Sequence, residues 1–286
     1  MFCEVSYQID RNYDVLVSLA KNKLEKSMNA QKETIITPNK TLGGAGRELW
    51  DYKDLLYFLA WRDFKVRYKQ TVIGVAWAVV KPLLTMVVFT IVFGRLAKLP
   101  VEGQAAYPVM VFAAMLPWYF FSSSLQESSL SIVNNAQMIS KIYFPRIIIP
   151  IAPFFVNLID FAISFVILLA LMAYYHTPLT LKILYLPLFL LLSIITALGV
   201  SLWIAALNAQ YRDFRYIVPF IIQIGLYVSP IGFSSTIIPE EWRLLYNLNP
   251  MVGVIDGFRW SLLGSGIDLY MPGLITSIML STLLLI

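Results

Sequence analysis

The feature that most constrains this chain is a series of long stretches almost free of charge: Thr85–Gly94, Ile147–Tyr175 with no Lys or Arg, Ile183–Leu207 and Ile217–Phe233. A helix needs about 20 mostly apolar residues to cross bilayer hydrocarbon, and each stretch reaches or approaches that length with its neighbours. Composition agrees. Of 286 residues, 58% are hydrophobic and 14% charged, where a soluble domain carries roughly 25% charged. A core of this size could not bury so much apolar surface, so lipid must be the solvent for much of it. Spanning segments without water must satisfy their own backbone, which makes them helices. The expectation is an all-α, multi-pass protein of the bacterial inner membrane.

Six spans are read, at about 75–96, 107–126, 147–175, 183–207, 216–236 and 269 to the end. Lys and Arg in the connections set the orientation. One side collects Arg47, Lys53, Arg62, Lys65, Arg67, Lys69, Lys141, Arg146, Arg212 and Arg215; the other has Arg95, Lys98, Lys182, Arg243 and Arg259. That excess places the N-terminus in the cytoplasm, and no secretory signal is read before the first span. The expected division is a polar cytoplasmic segment 1–46, an amphipathic interface helix 47–70 and a membrane domain 71–286. The net charge of +5 follows this topology and does not call for nucleic acid.

Over 49–69, a turn of 100° per residue puts Tyr52, Leu55, Leu56, Leu59 and Val66 on one face. Asp51, Asp54, Arg62, Lys65 and Lys69 fall opposite. Asp63 intrudes on the apolar side, with Trp50, Tyr57, Trp61 and Phe64 flanking it. Such a helix suits the headgroup plane; packing on protein is the alternative. In the loop 127–146, polar Ser128–Ser140 reads as a short helix, and Lys141-Ile142-Tyr143-Phe144-Pro145-Arg146 turns the chain back into the membrane. Pro145, lacking an N–H, suits a turn or a first helical position. This basic-aromatic knob reads as a docking surface.

The segment 237–268 holds two short half-hydrophobic helices, broken at Asn247–Pro250 and ended by Gly264. They are too short to span and read as re-entrant elements on the outer side, before the last span. That span, Leu269–Ile286, is broken by Pro272; the 14 residues from Gly273 give about 21 Å against a core of about 30 Å. A tail beyond Ile286 is therefore expected. Met28 is an alternative start, because residues 1–27 read as an unrelated charged helix.

No catalytic motif is present. Gly43-Gly44-Ala45-Gly46 lacks the lysine and hydroxyl of a phosphate-binding loop, so nucleotide hydrolysis is not expected from this chain. One cysteine, Cys3, rules out an internal disulfide, and no metal set is read. The single histidine, His176, reads as a loop residue at the interface. Glu127 and Asp160 are the acids nearest membrane depth. Asp160, midway along a span, is either paired or part of a transport path. Lys81, before the kinking Pro82, either snorkels to the interface or reaches a phosphate. Trp77, Trp118, Tyr119 and Tyr227 fit an interfacial aromatic belt, or rings lining a path for sugar.

Four stretches in order resemble the permeases of polysaccharide ABC exporters. Arg62–Trp77 (RDFKVRYKQTVIGVAW) resembles their entry into the first span, and Lys141–Pro150 (KIYFPRIIIP) their first cytoplasmic loop. Tyr211-Arg212-Asp213 with Tyr227-Val228-Ser229-Pro230-Ile231 resembles their fifth span. Asn249-Pro250-Met251 and Phe258-Arg259 resemble the approach to the last one. The likeness covers about 36–286 and points to the ABC-2 type, within it the O-antigen and teichoic acid exporters.

The resemblance implies an interface helix at 49–69, a coupling helix in 131–144 that docks on an ATPase, and gating helices in 237–265. Coupling would fall to Asn134, Gln137, Lys141, Tyr143, Phe144 and Arg146. Arg62, Lys65, Arg67 and Lys69 would either attract a pyrophosphate headgroup or hold the interface helix on lipid. Two copies would form the channel, each with a separately encoded nucleotide-binding subunit that carries ATP–Mg; this chain itself would hold no cofactor. The cargo would be a polysaccharide on undecaprenyl pyrophosphate. Two departures from the family pattern are Lys81, where a neutral residue is expected, and the absence of the family's cytoplasmic C-terminal tail from these 286 residues. Within the family, teichoic acid is the alternative cargo; three rivals from outside that reading are an ABC-2 permease for small lipids or drugs, a membrane enzyme of glycan assembly, and a proton-coupled transporter. The Arg62–Trp77 stretch, the lone histidine and the single mid-span acid weigh against them respectively.

Overall fold

The computed structural model describes residues 50–69, 74–101, 103, 105–263 and 269–285. The segment 1–46, with Met28 and Gly43–Gly46, and the expected helix stop Gly264 lie outside them. Every regular element among the described residues is helical. In chain order these are α1 (Lys53–Lys69), α2 (Gly74–Phe89), α3 (Tyr107–Asn134), α4 (Ala136–Lys141), α5 (Ile148–Tyr174), α6 (Leu186–Gln210), α7 (Phe214–Val228), α8 (Glu240–Tyr246), α9 (Pro250–Leu263) and α10 (Met271–Leu285). A π-helical segment, Thr90–Leu96, prolongs α2, and a 3-10 turn, Leu181–Tyr185, leads into α6.

Four stretches are long and apolar enough to cross a bilayer: Ala76–Leu96, Tyr107–Asn134, Ile148–Tyr174 and Leu181–Gln210. The other two apolar helices, α7 and α10, have 15 residues each, or about 22 Å. Of the six expected spans, four coincide with these stretches, and the regions expected for the fifth and sixth hold the two shorter apolar helices. The fifth stops at Val228 rather than near 236. Ser229 is extended there, and Pro230 has no N–H with which to continue a helix. The second instead overshoots its expected end at 126 and runs to Asn134. Its serines do not break it, because their hydroxyls turn back on the helix: Ser129 Oγ donates to Gln126 O at 2.8 Å and Ser131 Oγ to Ser128 O at 2.7 Å.

The core is built around α3. Every residue from Val109 to Met115 is at most 1% exposed, enclosed by α5, α6 and α9. A helix apolar on all sides is one with neighbours on all sides. In lipid, helices gain little from hydrophobic contact and associate through small residues and polar pairs. Both devices appear at α9 and α10. A Cβ on Gly257 would stand 2.2 Å from the Phe189 ring of α6, and one on Gly253 would stand 2.4 Å from Ser277 Oγ of α10. The buried row Gly273, Ser277, Ser281 faces α10's neighbours, and the Ser281 and Thr196 hydroxyls meet at 2.6 Å. By contrast, α2 leaves Val80, Leu84, Val87 and Val88 exposed, and the π-helical segment after it leaves Ile91 exposed.

His176 closes α5. Its φ is 53°, its N–H reaches Ala173 O at 3.3 Å and the Thr177 N–H reaches Met172 O at 2.9 Å. These paired bonds around a left-handed residue stop a helix and satisfy its last carbonyls. The expected loop histidine is therefore a helix terminator.

Candidate functional site

The N-terminal helix α1 is fastened to the bundle by its own side chains. Its first half puts Leu59, 2% exposed, against Ile148 and Ala152 at the start of α5, with Tyr52, Leu55, Leu56 and Met138 of α4 around them. The apolar face read from the sequence is thus partly covered by protein, while Val66, expected on the same face, is 51% exposed. A continuous aromatic row takes another side. Tyr57 stacks on Trp61 (6.3 Å between centroids), Trp61 on Phe64 (5.4 Å), and Phe64 tilts against Tyr68 (4.8 Å). Spacing of three and four residues makes such neighbours. What covers each side is settled by the partners, which periodicity does not reveal.

The second half of α1 carries Arg67 into a polar cluster between α3 and α5. Its guanidinium donates to Asp160 Oδ2, to Glu127 Oε1, and to Asn157 Oδ1 at 2.9 Å. The Tyr68 hydroxyl donates to the other Asp160 oxygen. Asn157 Nδ2 donates to Glu127 Oε2 and to Ser124 Oγ, each at 3.3 Å. One cation thus serves two carboxylates from two helices. All three side chains are only partly exposed, between 27% and 37%. Asp160 is therefore paired, and Arg67 is engaged inside the protein.

One turn earlier, Arg62 joins α1 to the junction of α3 and α4. Its Nη1 donates to Asn135 Oδ1 at 3.0 Å, and Asp63 sits beside it at 2.8 Å. Asn135 is the break between the two helices, and its Nδ2 satisfies Ser131 O at 2.8 Å. Around α4, Asn134, Gln137, Lys141, Tyr143 and Arg146 are exposed, whereas Phe144 is 6% exposed and anchors the turn into α5. Lys65 lies over the Trp61 ring at 5.4 Å, and Lys69 is exposed.

The residues read as channel candidates fall into two groups on α2, α3 and α7. Lys81 Nζ lies 5.6 Å from the Tyr119 ring, and Tyr119 Oη donates to Thr85 Oγ1 at 2.8 Å. Tyr227 stacks on Phe89 at 6.2 Å and stays 58% exposed, as does Trp77 at 59%. Trp118, 4% exposed, instead packs inward against Gly225 of α7. Asp160 belongs to the Arg67 cluster, apart from these groups.

Sequence reasoning singled out no role for Arg259, which is fully buried on α9. Its guanidinium donates to Phe233 O and Ile231 O, each at 2.9 Å, holding the irregular chain that follows α7. Tyr107 Oη reaches Gly232 O in the same stretch. Tyr246 of α8 donates to Val228 O at 2.7 Å. Burial pushes its phenol well above the ordinary tyrosine value, the Asp256 carboxylate adding to this and Arg259 opposing it, so it remains a donor. The signal was the basic residue itself, set in a mostly apolar helix. Asn157 and Tyr68 carried no such signal.

Residues 54–263 match the ABC-2 type transporter family. The chain is 31% identical over 221 residues to the O-antigen export system permease protein RfbA of Klebsiella pneumoniae, covering 77% of this chain and 81% of that protein. It is 30% identical over 216 residues to the protein of the same name from Myxococcus xanthus, covering 74% and 82%. It is 22% identical over 217 residues to the polysialic acid transport protein KpsM of Escherichia coli, covering 75% and 80%.

Proposed function

The chain belongs to the ABC-2 type transporter family, and from that membership we propose that it is the permease subunit of an ATP-driven exporter of lipid-linked, O-antigen-like polysaccharide. It is a multi-pass membrane protein, and we place it in the bacterial inner membrane with α1 and α4 on the cytoplasmic side. The relatives named for O-antigen export and polysialic acid transport support a glycan cargo. Under this reading α7 and α10 are the fifth and sixth spans, and α8 and α9 re-enter from the outer side. The burial of α9 supports that, since a short helix at membrane depth needs protein around its ends.

The observation that carries the reading is the fastening of α1 to α4, α3 and α5. A permease driven from outside needs a stiff path from its docking element to its spans. Here α4 sits at the Asn135 break, Arg62 ties that break to α1, and Arg67 ties α1 to α3 and α5. ATP binding to a separate subunit would shift the path by no more than its differential affinity for the two states. Two copies would pair through the exposed faces of α2 and α7, so that Trp77, Lys81 and Tyr227 face the path between them. The test is reconstitution of the chain in vesicles with and without a nucleotide-binding subunit of an O-antigen exporter. ATP-dependent movement of undecaprenyl-pyrophosphate-linked glycan is expected only when the chain and the subunit are present together. Export by the chain without it would overturn the reading.

A further inference from the structure

The exposed apolar face of α2 carries a cation held at depth. Lys81 is exposed and lies about 10 Å past Gly74 along the helix. Its Nζ is 5.6 Å from the Tyr119 ring. Tyr119 is about 18 Å from the start of α3 at Tyr107 and about 22 Å from its end at Asn134, so the ammonium stands near the middle of that helix. Among the described residues no carboxylate pairs with it. Neither α2 nor α7 contains an acid, so a second copy meeting the first through these faces brings another Lys81 and no counter-charge. Beside the ammonium, Tyr119 Oη donates to Thr85 Oγ1 at 2.8 Å, and Thr85 Oγ1 donates to Lys81 O at 2.9 Å. Both hydroxyl protons are spent inside the protein. These oxygens can therefore only accept, and of the three groups the ammonium alone has donors left. One turn earlier on the same face stands Trp77, 59% exposed.

We propose that Lys81 selects an acidic glycan: the cargo carries carboxylates on its sugars, and these pair with the ammonium as the chain passes. The inference rests on the reading of α2 and α7 as walls of the export path and adds what that path admits. An unpaired ammonium against lipid or a packed apolar surface is costly, so this one is stable where water or an anion reaches it. Apolar walls that carry one sign of charge concentrate ions of the other, and rings of Lys line anion pores for that reason. The remaining groups match a sugar acid as well. Its carboxylate takes the ammonium's donors, its hydroxyls donate to the Tyr119 and Thr85 oxygens, and its C–H face lies against the Trp77 indole. A pyrophosphate has neither hydroxyls to give at neutral pH nor a C–H face, so the sugar carboxylate is favoured over the lipid's own headgroup.

The full-length chain is purified in detergent, and calorimetry compares an oligogalacturonate with the same oligosaccharide after methyl esterification of its carboxylates. Wild type should bind the acid about tenfold more tightly than the ester at low salt, the scale of one charged hydrogen bond. The difference should shrink as NaCl is raised. Lys81→Gln should bind both alike, and Lys81→Arg should keep the preference. Lys182→Gln, a cation lost from the 3-10 turn before α6, should leave it unchanged. An unchanged gel-filtration position shows that each variant has folded. Equal binding of acid and ester by wild type, no heat from either, or a preference that survives Lys81→Gln would overturn the inference. So would binding of inorganic pyrophosphate that depends on Lys81 without any preference for the acid, which would assign the lysine to the lipid headgroup. No nucleotide-binding subunit takes part in these titrations, so their failure leaves the vesicle test of export untouched. If wild type instead exports nothing in vesicles while Lys81 still sets the acid preference, the proposed function falls and the anion site stands.

Discussion

At the scale of single residues, Arg67 matters more than either acid it holds. Removing it leaves Glu127 and Asp160 facing each other with no cation between them, whereas removing one acid leaves an intact pair. Breaking a fully buried pair costs about 3–5 kcal/mol; with the cluster roughly a third exposed, on the order of 2 kcal/mol is expected for Arg67→Ala. Asp160→Asn should cost well under half of that, since Arg67 keeps Glu127 and the amide still accepts from Tyr68. The triple change Arg67→Ala, Glu127→Gln, Asp160→Asn should recover part of the loss. Thermal unfolding of the detergent-solubilised protein checks the order; an Asp160→Asn as damaging as Arg67→Ala would contradict it. Asp160 was legible as an unusual acid because it interrupts an uncharged run. Its partner was not, because Arg67 lies 93 positions away and reads equally well as a headgroup contact.

At the scale of elements, α9 depends on backbone approach more than on side-chain bulk. It lies against α6 through Gly257 and the Phe189 ring, and against α10 through Gly253 and Ser277. Gly257→Val should force these helices apart and cost about 1–3 kcal/mol, as overpacking does. Shortening the obstacle with Phe189→Ala should restore part of the folded yield in the double variant. Fluorescence-detected size exclusion of the two single variants and the double one measures this; no coupling between the positions would refute the contact. The existence of α9 followed from its pattern, and its end-to-end placement near 250–263 was readable from Asn249-Pro250. That it is buried on nearly every side was not readable, because a half-hydrophobic helix gives no indication of how many neighbours surround it.

At the scale of the whole molecule, the large exposed surface of α2 and α7 calls for a cover. Val80, Leu84, Val87 and Val88 of α2 are exposed, as are Phe220, Ile221, Ile224 and Tyr227 of α7, and the Phe89–Tyr227 stack links the two helices. The proposed pairing of two copies predicts that Leu84→Cys, in a Cys3→Ser background, forms a disulfide-linked dimer in membranes under mild oxidation. Leu188→Cys, equally exposed on α6, should stay monomeric because that face is given to lipid. A dimer band from Leu188→Cys and none from Leu84→Cys would place the partner on the other side.

The sequence alone determined the solvent and the class of element. Runs of apolar residues too long and too uncharged for a soluble core can only be helices in lipid, and that conclusion needs no tertiary information. It also carried the order of the helices, the polar elbow around α4 and the four motifs by which the family resemblance was noticed. The tertiary structure alone decided which charges are engaged and which remain open. Arg62 and Arg67, read as headgroup or lipid contacts, turn inward to Asn135 and to two acids, while Arg146 and Arg212, read in two separate loops, line one cavity. The physical reason is that an ion pair at about 3 Å is set by which helices cross, and crossing is fixed by small-residue contacts such as Gly257 on Phe189 that no local pattern encodes.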